Sequence, residues 1–236
     1  MRLDAVIETI GTRDDFRNLD VLAVQEASVH HGRPDAETLA SVLGPGYDCF
    51  QATAQRRRGR EQANALIWKR GALSPTGGPE VVRLPGAADV RVRRLERTLL
   101  RAAPAQSRIA VCADFESLRM YVVHLDVIGF AHKLEQFKAV LNHLAQRPRV
   151  PLTLVAGDLN TFGPSRPRLW RQLAATARAA GLVNVTAAVR RTHWTGQKLD
   201  AIYALASGPI GYRAWTVKAK ASDHLPVFAD IELLAT

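Results

Sequence analysis

Apolar and polar positions along the chain alternate between a helical period and a strand period. Leu3, Val6, Ile7 and Ile10 recur at helical spacing. The short apolar run 19–24 ends in Gln25 and Glu26 and predicts a buried strand. Pro34 and Asp35 open a helix that reaches about Leu43, where Gly44, Pro45 and Gly46 stop it. Strands are predicted over 47–53 and 63–68, with a basic loop over 55–60 between them and a turn-rich loop over 71–78. Further strands fall at 80–84, 95–101, 109–114 and 118–124. A long helix over 130–145 puts Leu134, Phe137, Leu141 and Leu144 on one face. The uninterrupted apolar run 152–156 reads as a buried strand and runs into GDLNTFGPS. A helix over 168–180 ends at Gly181, and strands at 199–205, 210–217 and 225–233 close the series.

Strands outnumber helices, and hairpins mix with helical crossovers. No repeat, heptad seam or low-complexity linker interrupts them. The pattern predicts one α/β domain over 1–236, with large mixed sheets covered by helices. Hydrophobic content of 47% supplies a sizeable core, and 23% charged residues without a long polar tract argue against disorder. No apolar stretch approaches the roughly 20 residues of a membrane span, so no stable membrane insertion is expected. The first residues, MRLDAVIETIGTRDDF, carry acids where an export signal is apolar. Cys49 and Cys112 form neither a disulfide framework nor a zinc cluster, which predicts a reducing, cytoplasmic setting.

Charge sharpens the picture. The net charge is +10. Residues 56–108 hold 13 basic and four acidic side chains, 13 − 4 = +9. Such a block suits a polyanionic partner, with nucleic acid first and an anionic lipid surface second. An arginine-rich composition without a partner is the plainer reading. Nothing in the sequence sets the oligomeric state.

Several polar residues sit at strand ends. Glu26 follows DVLAV, His124 and Asp126 follow MYVV, and Asp158 and Asn160 follow LTLVAG. Asp200 begins DAIYAL, and Asp223 and His224 precede LPVFADIEL. Taken singly, each has a structural reading. Glu26 would cap a helix, Asp158 would serve a turn, His124 would be a satisfied core histidine and Asp200 a strand-edge charge. Together they converge on one sheet rim. Clustered carboxylates there hold a hard cation such as Mg²⁺, or Mn²⁺, and point to metal-assisted phosphoryl chemistry.

The motifs VQE (24–26), HLD (124–126), GDLN (157–160), KLDAI (198–202) and SDHLPV (222–227) also have an order. In that order the chain resembles the endonuclease/exonuclease/phosphatase superfamily over about 19–233. GDLN with a downstream SDH is the specific part. QANALIW (62–68) looks like a family strand with Asn64 matching, and Arg97 falls where the family often has an arginine. The resemblance implies a four-layer α/β/β/α sandwich of two mixed sheets with outer helices. It implies metal-dependent hydrolysis of phosphodiesters or phosphomonoesters.

On the resemblance, Glu26 is the principal Mg²⁺ ligand and Asp223 helps hold the metal or its waters. His224 is the base that takes a proton from the attacking water, and Asp200 fixes its tautomer. Asp158 orients the nucleophile, and Asn160 donates to a phosphate oxygen. His124 contacts the phosphate and protonates the leaving oxygen. Asn64, Arg97 and Trp194 are expected at the substrate, the tryptophan stacking on a base or packing in the core. The departure is at the start. The family usually opens with a strand ending in Trp-Asn, and this chain begins in the helix after it. Either the sequence starts too far downstream or the chain lacks the family's first strand, and the second case would leave a sheet gap and a weaker metal site. The expected activity is a Mg²⁺-dependent nuclease acting on DNA. Alternatives are a lipid phosphodiesterase or phosphoinositide phosphatase of the same fold, and a catalytically silent binding module.

Overall fold

The structure, a computed structural model, describes residues 3–57, 60–86, 106–162 and 166–234. Helix α1 (Leu3–Thr12) leads through a 3-10 turn (Asp14–Phe16) to strand β1 (Val21–Ala27). A two-residue hairpin, β2 (Val29–His30) and β3 (Arg33–Pro34), precedes α2 (Asp35–Leu43). Strands β4 (Tyr47–Arg57) and β5 (Arg60–Lys69) form a long hairpin, followed by β6 (Glu80–Arg83), β7 (Ile109–Asp114) and β8 (Leu118–His124). Helix α3 (Ala131–Ala145) crosses to β9 (Leu152–Asp158), and α4 (Arg166–Ala179) crosses to β10 (Val183–Asn184) and β11 (Asp200–Ala206). Strands β12 (Ile210–Thr216) and β13 (Val227–Leu233) end the series.

Three apolar clusters separate four layers. One lies between α3 and α4 and the six-stranded sheet, with Phe137, Leu141, Leu169 and Leu173 against Tyr121, Val123, Val155 and Tyr203. A second joins that sheet to the facing strands through Leu66, Trp68, Val111, Met120 and Leu154. A third lies under α1 and α2, with Ile10, Phe16 and Leu39 against Val24, Ile67 and Phe228. Each fully buried leucine or phenylalanine contributes roughly 1.5–3 kcal/mol. The α/β/β/α sandwich is thus the architecture, as the family resemblance implies, and the single α/β domain read from the apolar pattern is part of it.

The six-stranded sheet runs β10-β11-β9-β8-β7-β6 and is mixed, because β8 and β9 are parallel. The facing layer comes in two pieces, β1-β5-β4 and β12-β13. Among the described strands, β1 pairs only with β5 and β13 only with β12.

Two expectations need correcting or setting aside. In the basic segment 55–60, residues 55–57 and 60 are strand and not loop. Strands β4 and β5 run on to Arg57 and Arg60, with Gln55 opposite Gln62 and Arg56 opposite Glu61. An Arg56–Glu61 ion pair across the strands, and a 2.7 Å bond from Thr53 Oγ1 to Glu61, give polar residues a reason to stay paired. The strand predicted over 95–101 lies outside the described residues. Among the described residues, no helix is long and apolar enough to cross a membrane.

Candidate active site

Strand register builds the site. His124 is the last residue of β8 and stands beside Asp158, the last of β9. Asp158 stands beside Asp200, the first of β11. Three polar residues therefore form one row on the rim of the six-stranded sheet. Each directly follows or precedes an apolar strand that fixes its backbone.

GDLN makes the middle of this row. Gly157 has φ +146°, and a Cβ built there would lie 1.9 Å from the Val123 carbonyl oxygen, so only glycine fits the approach of β9 to β8. Asn160 is left-handed at φ 51°. Its N–H donates to Asp158 Oδ1 at 2.7 Å, and its Nδ2 donates to Leu125 O at 2.8 Å. The side chain of Asn160 thus ties the β9 turn to the loop after β8. Buried Lys133 of α3 donates to the Asn160 carbonyl at 2.5 Å from the other side.

His224 closes the row from the loop before β13. Its Nδ1 donates to Asp200 Oδ2 at 2.9 Å, and its Nε2 lies 3.7 Å from Asp158 Oδ2. Burial alone would lower its pKa. The Asp200 hydrogen bond, with the charges of Asp200, Asp158 and Asp223, outweighs that and raises it to about 9. Burial, with Asp200 adding like-charge repulsion, raises Asp158 to about 7.

His124 is set in the opposite direction. It is buried, and Arg108 Nη1 donates to its Nδ1 at 3.1 Å. Its Nε2 lies 3.6 Å from Asp158 Oδ2. Desolvation first, then the Arg108 and His224 charges, push its pKa well below the usual histidine value. His124 is therefore a neutral imidazole carrying its proton on Nε2.

Glu26 comes from the facing layer. It is the extra residue of a β-bulge, with Gln25 opposite Asn64 and Ala27 opposite Ala63, and it has φ 58°. A bulge re-aims one side chain, and a left-handed glutamate is a strained conformation seen at functional sites. Glu26 is exposed and faces the cavity of about 650 Å³ that Asp158, Asp200, Asp223 and His224 also line. Its charge is felt at Arg108, as are those of Asp126 and Asp158.

Asp223 is exposed, and Ser222 Oγ donates to its Oδ1 at 3.1 Å. Burial pushes against ionisation there, but that hydrogen bond and the His224 charge hold the carboxyl below its ordinary range. His193 Nε2 lies 3.6 Å from Asp223 Oδ2, and its ring meets the His224 ring edge-on at 5.0 Å. Among the described residues, two groups bring ligand atoms within 4.8 Å of one another: Asp158, Asp200 and His224, and His193, Asp223 and His224. Glu26 belongs to neither. Carboxylate oxygens dominate the rim, and the side-by-side carboxylates of Asp158 and Asp200 are a donor set that a hard divalent cation satisfies.

The remaining expected residues divide. Trp194 is 72% exposed, and its backbone N–H donates to Asp223 O at 2.9 Å, so the ring stands open beside the rim. Asn64 is only 3% exposed, and its Nδ2 donates to Ile109 O at 2.8 Å, pinning β5 to the six-stranded sheet. Arg97 lies outside the described residues, as do residues 87–105 of the basic segment. Arg108, His193 and Lys133 belong to the site and were not singled out from the sequence. Arg108 was one arginine of a basic block. Lys133 did leave a signal, standing one turn before Phe137 on the face that α3 buries.

No family model matches the sequence, and no curated protein matches it either. Solved structures do. An endonuclease/exonuclease/phosphatase from Bacteroides vulgatus is 18% identical, with 99% of this chain and 90% of that one covered and a TM-score of 0.69. A mannosyl-6-phosphatase from Bacteroides thetaiotaomicron is 14% identical, with 98% and 91% covered and a TM-score of 0.67. D. rerio TDP2 complexed with single strand DNA product is 13% identical, with 98% and 93% covered and a TM-score of 0.66. The chain therefore has the fold of endonuclease/exonuclease/phosphatase family proteins over nearly its whole length.

Proposed function

We propose that this chain is a metal-dependent hydrolase of phosphodiester bonds in nucleic acid. The observation that carries the reading is the row His124, Asp158, Asp200 closed by His224, with Asp200 holding His224 Nδ1 at 2.9 Å. The shared fold supports it, and so does the single strand DNA bound to one protein of that fold.

Glu26 and Asp223 would hold Mg²⁺ or Mn²⁺, with Asp158 and Asp200 offering further carboxylate oxygens on the rim, and the ion would polarise the phosphate and offset the charge that develops on it. The residues of the chain divide the remaining work. Asp200 keeps the His224 proton on Nδ1, so Nε2 faces the attacking water. His224 works as a base once the negative field of Asp158, Asp200 and Asp223 is neutralised, because that field keeps it charged below about pH 9. Asp158 accepts a hydrogen bond from the water and orients it. His124, neutral with Nε2–H, donates to a phosphate oxygen. Asn160 holds the turn that carries Asp158 and offers its amide to the phosphate. Trp194 stacks on a base at the rim. Arg97 and the basic segment 56–108 favour a polyanionic substrate through their charge, and Asn64 holds β5 against the six-stranded sheet.

A panel of esters with Mg²⁺ or Mn²⁺ tests the reading. The expected result is salt-sensitive cleavage of DNA that His224→Ala abolishes. Phosphomonoester or phospholipid head-group hydrolysis without DNA cleavage would move the substrate to another ester on the same fold. No hydrolysis of any ester, with no Mg²⁺ binding by calorimetry, would leave a silent module.

A further inference from the structure

Two histidine rings meet at one end of the acidic row, on loops that the backbone ties together. His193 and His224 pair as an isolated antiparallel bridge. Trp194 N donates to Asp223 O at 2.9 Å, and Leu225 N donates to Thr192 O at 2.7 Å. On the other side, buried Thr192 Oγ1 accepts from the N–H groups of Leu199 and Asp200 at 2.9 and 3.0 Å. Both loops are thereby fixed to the start of β11. The rings meet edge-on, with centroids 5.0 Å apart.

In each ring the Nδ1 atom has a partner that can take its proton. His224 Nδ1 donates to Asp200 Oδ2 at 2.9 Å. His193 Nδ1 meets the Thr195 hydroxyl at 2.8 Å, whereas the Thr195 N–H reaches the same nitrogen only at 3.4 Å. An imidazole held by an acceptor at Nδ1 presents its Nε2 lone pair as a metal ligand, and the acceptor orients the ring and raises its basicity. Asp223 adds an oxygen, with its Oδ2 3.6 Å from His193 Nε2. Ligand atoms around one tetrahedral Zn²⁺ stand about 3.3–3.6 Å apart. Those of His193, Asp223 and His224 all lie within 4.8 Å of one another. The Asp223 side chain is 64% exposed and has room to turn towards the two rings.

We propose that His193, Asp223 and His224 form a Zn²⁺ site, distinct from the Mg²⁺ or Mn²⁺ position at Glu26 although the two share Asp223. Donor chemistry separates the cations. Imidazole nitrogens suit Zn²⁺, whereas Mg²⁺ takes oxygen ligands and keeps several waters. The neighbouring group of Asp158, Asp200 and His224 has two carboxylates and one imidazole, and this one has the reverse. With Zn²⁺ bound, the His224 Nε2 lone pair can no longer take a proton from water, so occupation stops turnover. That consequence rests on the hydrolase reading, and the site itself rests on the ligand geometry alone.

The test titrates the metal-free protein with CoCl₂ and ZnCl₂. One equivalent of Co²⁺ should give the visible absorption of a tetrahedral centre, displaced by one equivalent of Zn²⁺ and retained in tenfold excess Mg²⁺. In wild-type imidazole ¹⁵N spectra, Zn²⁺ should move Nε2 of His193 and of His224 while both Nδ1 atoms keep their protons. By calorimetry, His193→Gln should weaken Zn²⁺ binding at least tenfold, and Glu26→Gln less than twofold. In DNA cleavage with Mg²⁺, the Zn²⁺ concentration for half-inhibition should rise at least tenfold in His193→Gln, each protein being referred to its own zinc-free rate. Zn²⁺ binding at His193 without hydrolysis of any ester would uphold the site and overturn the hydrolase reading alone. Equal losses in Glu26→Gln and His193→Gln would put the ion at Glu26 and overturn the proposal. Absence of Zn²⁺ binding, or unmoved His193 nitrogens, would overturn it too.

Discussion

His224 Nδ1 and Asp200 Oδ2 meet at 2.9 Å, although they are 24 positions apart with strand β12 between them in sequence. The contact joins the first residue of a strand in one sheet to the loop before a strand in the facing layer. It fixes which ring nitrogen carries the proton, and so which one faces the cavity.

If His224 is the base and Asp200 its orienter, the two act as one unit. His224→Ala should lower kcat for DNA cleavage by roughly 10²–10⁴-fold, and Asp200→Asn by a similar factor. The double variant should lose little more than either single variant. Circular dichroism and thermal melts should show both variants folded. Full additivity would mean that the two residues act separately.

The same pair predicts a pH dependence of stability in the absence of added metal. The folded pKa of His224, about 9, lies above its ordinary value of 6.5. Its stabilising contribution is therefore complete below about pH 6.5 and is lost as pH rises through about 9. The Tm difference between the wild type and His224→Gln should shrink across that window. A difference that grows with pH would contradict the raised pKa.

Asp158 has the same direction of pH dependence, but its ionised form costs stability where the charged His224 supplies it. Its folded pKa, about 7, lies above the ordinary 3.8, so keeping it ionised costs stability as pH rises from about 4 to 7. In metal-free buffer at pH 8, Asp158→Asn should raise Tm, and the gain should vanish near pH 3.5. With Mg²⁺ the ranking should reverse, because the wild type gains ligand-linked stability that the variant lacks. Activity should fall in the variant at every pH.

Much of this site was legible in the sequence, because it lies at strand ends. His124, Asp158 and Asp200 each abut an apolar run, and the register of β8, β9 and β11 then sets them side by side. What the sequence did not show depends on geometry between layers. Glu26 reads as a strand-end acid, and only the slip between Gln25 and Ala27 against β5 shows it to be the bulged residue. Arg108 reads as one of 13 basic residues in a block, and its place on His124 Nδ1 arises from the register of β7 against β8, with Ala110 opposite Val123. Asn64 matched a motif at the right spacing, yet its amide faces inward to Ile109 O, because strand parity at that point turns it to the core. Strands β2, β3 and β10 have two residues each, too few to leave a period.

Gly157→Ala isolates the close approach that aligns the row. A Cβ 1.9 Å from Val123 O cannot be accommodated without moving β9 from β8, and φ +146° strains any L-residue. The variant should lose well over 1 kcal/mol of stability in chemical denaturation. The fraction that still folds should have reduced kcat, because His124 and Asp158 would no longer be adjacent. Retained stability would mean that the backbone can relax around the methyl group.

Trp194 separates substrate contact from packing. The ring is 72% exposed and rests on little beyond the His193 ring, whose centroid is 5.9 Å away. Its removal should therefore barely change Tm. Stacking of an aromatic side chain on a base is worth about 1–3 kcal/mol, so Trp194→Ala should weaken single-stranded DNA binding by roughly 5- to 150-fold. Trp194→Phe should restore part of the loss. The kcat at saturating DNA should hold, because the ring stands outside the proton-transfer path. An unchanged KM with a lower Tm would instead make Trp194 a structural residue and remove it from the substrate side of the rim.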